Sequence, residues 1–137
     1  MKRLGKVASV VLIVLNVFLA LTAFAGGIGL LAGLNAPGVE ELQGSPFTNY
    51  TIPGLSLFVL VGGSALLAAV LLIRKSRFAL LFSIGAGIII MFFEFVEVLV
   101  IGSPPGAALV LQLFYFGLGT AIAVVSIGVG FIDLLPV

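Results

Sequence analysis

Two glutamates three residues apart, Glu94 and Glu97, lie inside a long apolar run. If that run is helical, the spacing puts both carboxyls on one face. Glu94 lies about seven residues, or roughly 10 Å, inside the end of the run. A carboxylate at such a depth costs about 2–4 kcal/mol when ionised and unpartnered, so it should face other protein groups or water. No Lys or Arg lies on this half of the protein, so neither glutamate has a cationic side-chain partner from its own chain. Either a carboxyl keeps a proton, or an external cation supplies the missing charge. Gln112 and Tyr115 begin the next apolar run at a matching depth. Glu94, Glu97, Gln112 and Tyr115 therefore form a candidate polar or ion-binding site. The structural alternative has Glu97 reaching to the surface and Glu94 hydrogen-bonded to Tyr115 or Gln112. Ser56 begins another run on the same side, and Asn16 lies too deep in the first to join the group.

Other chemistry is excluded by residue type. There is no cysteine, hence no disulfide, thiol nucleophile or zinc-thiolate site. There is no histidine, which removes the commonest general base and metal ligand. No catalytic residue, metal site or cofactor is expected, and the chain is not expected to be an enzyme. Gly26-Gly27-Ile28-Gly29 lacks the lysine of a phosphate-binding loop and follows no strand. Asn49-Tyr50-Thr51 matches a glycosylation sequon, a weak three-residue signal.

The elements that must position these residues are apolar to an unusual degree. Of 137 residues, 62% are hydrophobic and 8% charged, against about 25% charged in soluble domains. Four apolar stretches run over about 7–34, 55–73, 78–101 and 107–131. Each meets the roughly 20 residues a spanning helix needs. Backbone in lipid must satisfy its own hydrogen bonds, and nothing alternates as a membrane strand would. The expected fold is all-α: an integral membrane four-helix bundle forming a single transmembrane domain over 1–137. Asn35-Ala36-Pro37-Gly38, Arg74-Lys75-Ser76-Arg77 and Gly102-Ser103-Pro104-Pro105-Gly106 mark the breaks, and Ile52-Pro53-Gly54 opens the second helix.

Charge orients the bundle. Lys2, Arg3 and Lys6 precede the first helix, and Arg74, Lys75 and Arg77 separate the second from the third. These two segments share a side only if all four helices cross. The positive-inside rule then places them, and both termini, in the cytoplasm. The opposite side carries Glu40 and Glu41 and no cation. The start resembles a secretory signal, with Ala23-Phe24-Ala25 before Gly26. Its apolar run exceeds the usual core of about 7–15 residues, so the first helix is expected to stay as a span.

Helices in lipid associate through small and polar residues. The fourth helix offers Gln112, Tyr115, Gly119, Ala123, Ser126, Gly130 and Asp133 at helical spacing. Its Leu111, Phe114, Leu118, Ile122, Val125 and Val129 read as a lipid face. The third offers Ser83, Gly87, Ile90, Glu94 and Glu97, with Phe92, Phe95, Val96 and Leu99 opposite. The first offers Ser9, Asn16, Ala20, Ala23 and Gly27, and the second Gly62-Gly63-Ser64-Ala65 with Ala68-Ala69. Gly29 and Gly33 form a small-xxx-small pair suited to close approach.

The loop over about 35–54 contains Gly44-Ser45-Pro46-Phe47-Thr48-Asn49-Tyr50-Thr51-Ile52-Pro53-Gly54. Phe47 and Tyr50 could tuck into the bundle mouth, as a lid over the glutamates or as an interfacial cap. This loop, the Arg74–Arg77 turn and Val96-Glu97-Val98 resemble a group of uncharacterised small prokaryotic membrane proteins. Their pattern is a Gly-Ser-Pro-Phe-x-x-Tyr-x-x-Pro-Gly loop, an Arg/Lys turn and a Val-Glu-Val-like helix. The resemblance covers most of the chain and implies a small four-helix integral membrane protein, with no activity attached. In size and in having a membrane glutamate the chain is also similar to small multidrug-resistance transporters. It departs from them with Asn16, and no acid, in the first helix, and with no tryptophan.

These readings lead to a small multi-pass cell-membrane protein, most simply a non-enzymatic scaffold or accessory component. The alternative is a small cation- or proton-linked transporter or channel using Glu94 and Glu97. A water-filled cavity reaching Glu94 favours transport; outward-pointing Gly85 or Gly117 favours partner binding. The expected partners are the lipid bilayer and a membrane protein or second copy of the chain, with no nucleic acid.

Overall fold

The structure, a computed structural model, describes residues 3–33, 42, 44–103 and 105–134. The Asn35–Gly38 break, Lys2, Glu40, Glu41 and Pro104 lie outside the described residues. Among the described residues there are four long helices: α1 (Arg3–Ala32), α2 (Thr51–Ile73), α3 (Ala79–Ile101) and α4 (Ala107–Leu134). All four are long and apolar enough to cross a membrane. With polar backbone satisfied only inside helices, such a chain is a multi-pass membrane protein. At 30 residues, α1 is roughly 45 Å long. It therefore overshoots a hydrocarbon core of about 30 Å and must tilt or protrude.

Helix ends follow local chemistry. α2 begins at Thr51, ahead of the expected 55, because Asn49 Oδ1 accepts the Thr51 N–H at 3.0 Å and Pro53 falls in the first turn, where its missing donor costs little. α4 continues to Leu134, past the expected 131. α2 ends with Lys75 at φ 56°. There Ser76 N–H reaches back to Leu71 O and Lys75 N–H to Leu72 O, the paired bonds that satisfy orphan carbonyls at a helix end. Ser76 Oγ then accepts the Phe78 N–H at 3.1 Å, opening α3.

The helices pack in a ring, α1–α2–α3–α4, with α4 closing on α1. Neighbours are antiparallel: Gly27 of α1 meets Gly54 and Phe58 of α2, and Gly87 of α3 meets Gly119 and Ala123 of α4. One end of the bundle thus gathers the start of α1 and the 74–77 turn, called here the basic end. The other gathers the 44–50 loop and the 102–106 turn, called the loop end.

The stripe expected on α3 is its buried face: Ser83, Gly87, Ile90 and Glu94 are buried, while Phe92, Phe95 and Leu99 are exposed. On α1, Asn16, Ala20, Ala23 and Gly27 are buried as expected. The lipid face expected on α4 is corrected. Leu111 and Phe114 are exposed, but Leu118, Ile122 and Val129 are buried beside Ser126. α4 touches both α3 and α1, so its buried arc is wider than one stripe. The Gly29/Gly33 pair is corrected too. Gly33 adopts φ 74° just past the end of α1, and a Cβ there would meet nothing within 4 Å. It closes the helix, and a side chain there would face open space among the described residues.

Candidate functional site

Two features dominate the interior. The first is a polar chain near the basic half of the bundle. Asn16 Nδ2 donates to Leu12 O and to Ser83 Oγ, both at 3.0 Å. The Ser83 and Ser126 hydroxyls lie 2.8 Å apart, and Ser126 Oγ lies 2.6 Å from Ile122 O. A hydroxyl has one proton. With Ser126 donating to Ile122 O, Ser83 donates to Ser126 and accepts from Asn16. One directed chain thus links α1, α3 and α4, and all three side chains are fully buried.

The second feature is a cavity of about 440 Å³ at the loop end, between α2 and α3. Part of its α2 wall, Ser56, Leu60 and Val61, lies in Ser56–Gly62, a π-helical stretch interrupting the α-helix. Such stretches are rare and frequent at functional sites. The stretch is clamped from behind by α1: a Cβ on Gly62 would lie 2.6 Å from the Phe24 ring, and one on Gly27 would lie 2.7 Å from Phe58 Cβ. Phe24 and Phe58 themselves meet with ring centroids 4.7 Å apart. The α3 wall is Ile88, Ile89, Phe92, Phe93, Val96, Glu97, Val100 and Ile101. Leu42, Phe47 and Tyr50 close the end. Short polar side chains shape that segment. Ser45 Oγ donates to Leu42 O at 2.7 Å and accepts the Phe47 N–H at 3.2 Å. On the rim, Ile52, Leu60, Ile88 and Phe92 are each more than half exposed. The cavity is therefore a groove opening sideways, onto the lipid-facing surface.

The four candidate site residues are divided between interior and groove. Glu97 is half-buried and lines the groove with Phe47, Tyr50 and Ser56. Glu94 is only 7% exposed, and it is not among the described residues that line the groove. An i,i+3 pair differs by about 60° around a helix of 3.6 residues per turn, enough to bury one member while the other lines the groove, and the two carboxyls remain in hydrogen-bonding contact with each other. Gln112 is buried, and its Nε2 donates to Gly102 O at 2.9 Å, at the end of α3. The anticipated Glu94–Gln112 bond is thus replaced by a cap, because terminal carbonyls lack intrahelical donors. Glu94 Oε2 and Gln112 Oε1 are buried with no hydrogen-bond partner. Tyr115 is half-buried against the core, its ring edge-on to Phe114.

Sequence reasoning marked Asn16, Ser83 and Ser126 on separate inner stripes but carried no signal joining them. It gave no sign of the π-helical stretch. No family model, curated protein or solved structure matches the chain.

Proposed function

We propose that the protein is a non-enzymatic component of the cell membrane, a scaffold or accessory subunit, with its basic end and both termini in the cytoplasm. The observation that carries this reading is how the polar groups are distributed. The interior hydroxyls and the Asn16 NH2 group bond to one another across helices, and the apolar-walled groove is lined by Glu97 and not by Glu94. A transporter or channel working through both glutamates needs water or an ion at Glu94. The absence of histidine and cysteine from the sequence argues the same way against an enzyme. Partner binding gains support from Gly85 and Gly117, where an added Cβ would meet nothing within 4 Å; small outward residues let a second helix come close. The six Lys and Arg residues support the orientation.

A second reading draws on two of the three buried side-chain oxygens without donors among the described residues, Glu94 Oε2 and Gln112 Oε1, the third being Asn16 Oδ1. A cation or proton would satisfy them, as a small cation- or proton-linked transporter or channel requires. One experiment separates the two. The chain has no native cysteine, so Ile90→Cys, Glu94→Cys and Glu97→Cys can each be probed alone. A small charged thiol reagent is added to native membranes. Thiols react as thiolates, which form in water and not in a dry core. The accessory reading expects Glu97→Cys to react and the other two to stay silent. Reaction at both Glu94→Cys and Ile90→Cys would replace it with the transport reading.

A further inference from the structure

We infer that the groove between α2 and α3 holds a bilayer lipid, one acyl chain against the apolar walls and a headgroup ammonium at Glu97. This goes beyond an accessory role and needs only that the helices span a membrane.

Shape comes first. At about 440 Å³, the groove falls within the range of roughly 300–1,000 Å³ found for ligand sites. Its inner walls are apolar, with Val61 and Ile90 buried close by and Ile89 and Phe93 lining it. Its open side faces the direction of the exposed Leu60, Ile88 and Phe92. An occupant therefore arrives from hydrocarbon, and an acyl chain is the apolar group present there at highest concentration. Left unfilled, the walls would forgo dispersion contacts on one side.

Charge then selects the headgroup. Glu97 is the sole charged side chain among the described lining residues. No Lys or Arg occurs between residues 7 and 73 or after residue 77, so the loop end of the protein has no cation of its own to offer. Glu97 stands four residues before the end of α3 at Ile101, roughly 6 Å by helical rise. That is the level at which lipid headgroups join their chains. A primary ammonium complements the carboxylate there; a headgroup bearing only anionic or neutral groups does not. Ser56 adds a hydroxyl to the same wall. The groove is preformed by the π-helical stretch and by the glycine contacts that hold α2 against α1.

The test uses a tryptophan reporter, since the chain has none. Phe92→Trp places it on the groove rim, and Val124→Trp places it on an exposed site of α4. Full-length protein is reconstituted in phosphatidylcholine containing brominated phosphatidylethanolamine or, separately, phosphatidylglycerol with the same brominated chains. Bromine quenches the indole on contact. At the rim, the ethanolamine lipid should show about two- to fivefold stronger apparent binding than the glycerol lipid, the range of a partly screened ion pair. The Val124→Trp reporter should show no preference. Glu97→Gln should abolish the preference, and Glu97→Asp, which keeps the charge, should retain it. Equal quenching by the two lipids, or a preference surviving Glu97→Gln, would overturn the inference. Equal quenching that is relieved by dodecyltrimethylammonium only when Glu97 is present would also overturn it, in favour of a free cationic amphiphile as occupant.

Discussion

Ser83 is the residue on which three helices meet. It accepts from the Asn16 amide and, with the Ser126 proton directed at Ile122 O, donates to the Ser126 hydroxyl. In lipid such bonds are worth about 0.6 kcal/mol on average and up to about 1.7 kcal/mol. Ser83→Ala removes two and strands part of the Asn16 amide. Unfolding in mixed micelles should show a loss of about 1–2 kcal/mol. Combined with Asn16→Ala, the loss should be well short of additive, because both changes break the same chain. At this scale the sequence named the right polar residues. It could not pair them, since Asn16 and Ser83 are 67 positions apart and their contact depends on helix rotation. The same limit applies to Glu94 and Glu97. Their spacing placed them on one side of α3, but the 60° between them was resolved only when α2 and α4 took their places.

Between elements, α3 and α4 approach closely at Gly87 and Gly119. A Cβ on Gly87 would lie 2.6 Å from Gly119 O, and one on Gly119 would lie 2.7 Å from Gly87 O. The clash is with backbone, so no rotamer relieves it. Gly87→Ala should cost about 1–3 kcal/mol, as overpacking does, read as a lower midpoint in denaturant titration of the micellar protein. Gly85→Ala and Gly117→Ala face open space and should stay within about 0.5 kcal/mol. The loop is a second case of elements fixing residues. In Gly44–Gly54, Ser45 holds the chain at Leu42 and Phe47, Asn49 Oδ1 accepts the first N–H of α2 from Thr51, and Gly54 fits against Leu30 and Leu31 of α1. The loop residues singled out in the sequence therefore have identifiable mechanical roles, and they leave Phe47 and Tyr50 on the groove.

For the molecule as a whole, charge asymmetry is the testable property. Thr48→Cys lies in the loop-end segment and Ser76→Cys in the basic turn. In intact cells a membrane-impermeant maleimide should label Thr48→Cys, while Ser76→Cys should label only after permeabilisation. Replacing Arg74, Lys75 and Arg77 together with Gln should let part of the population label at both sites, because the remaining orientation signal lies only before α1. Labelling of Ser76→Cys alone in intact cells would reverse the proposed orientation.

What the sequence determined by itself was the number of helices long and apolar enough to span a membrane, their approximate limits and the inner face of α3. These follow from a solvent that forbids unpaired backbone and from a 3.6-residue repeat, both local properties of the chain. The tertiary structure decided what depends on neighbours. It buried Leu118, Ile122 and Val129 because α4 has two partners. It made Gly33 a helix end, joined Asn16 to Ser83 and Ser126, and buried Glu94 while leaving its neighbour Glu97 on the groove. It also shaped the π-helical wall of the groove, whose form depends on Phe24 and Phe58 meeting across two helices. Each of these turns on the rotation of one helix against another, and that rotation is settled only when side chains distant in sequence pack together.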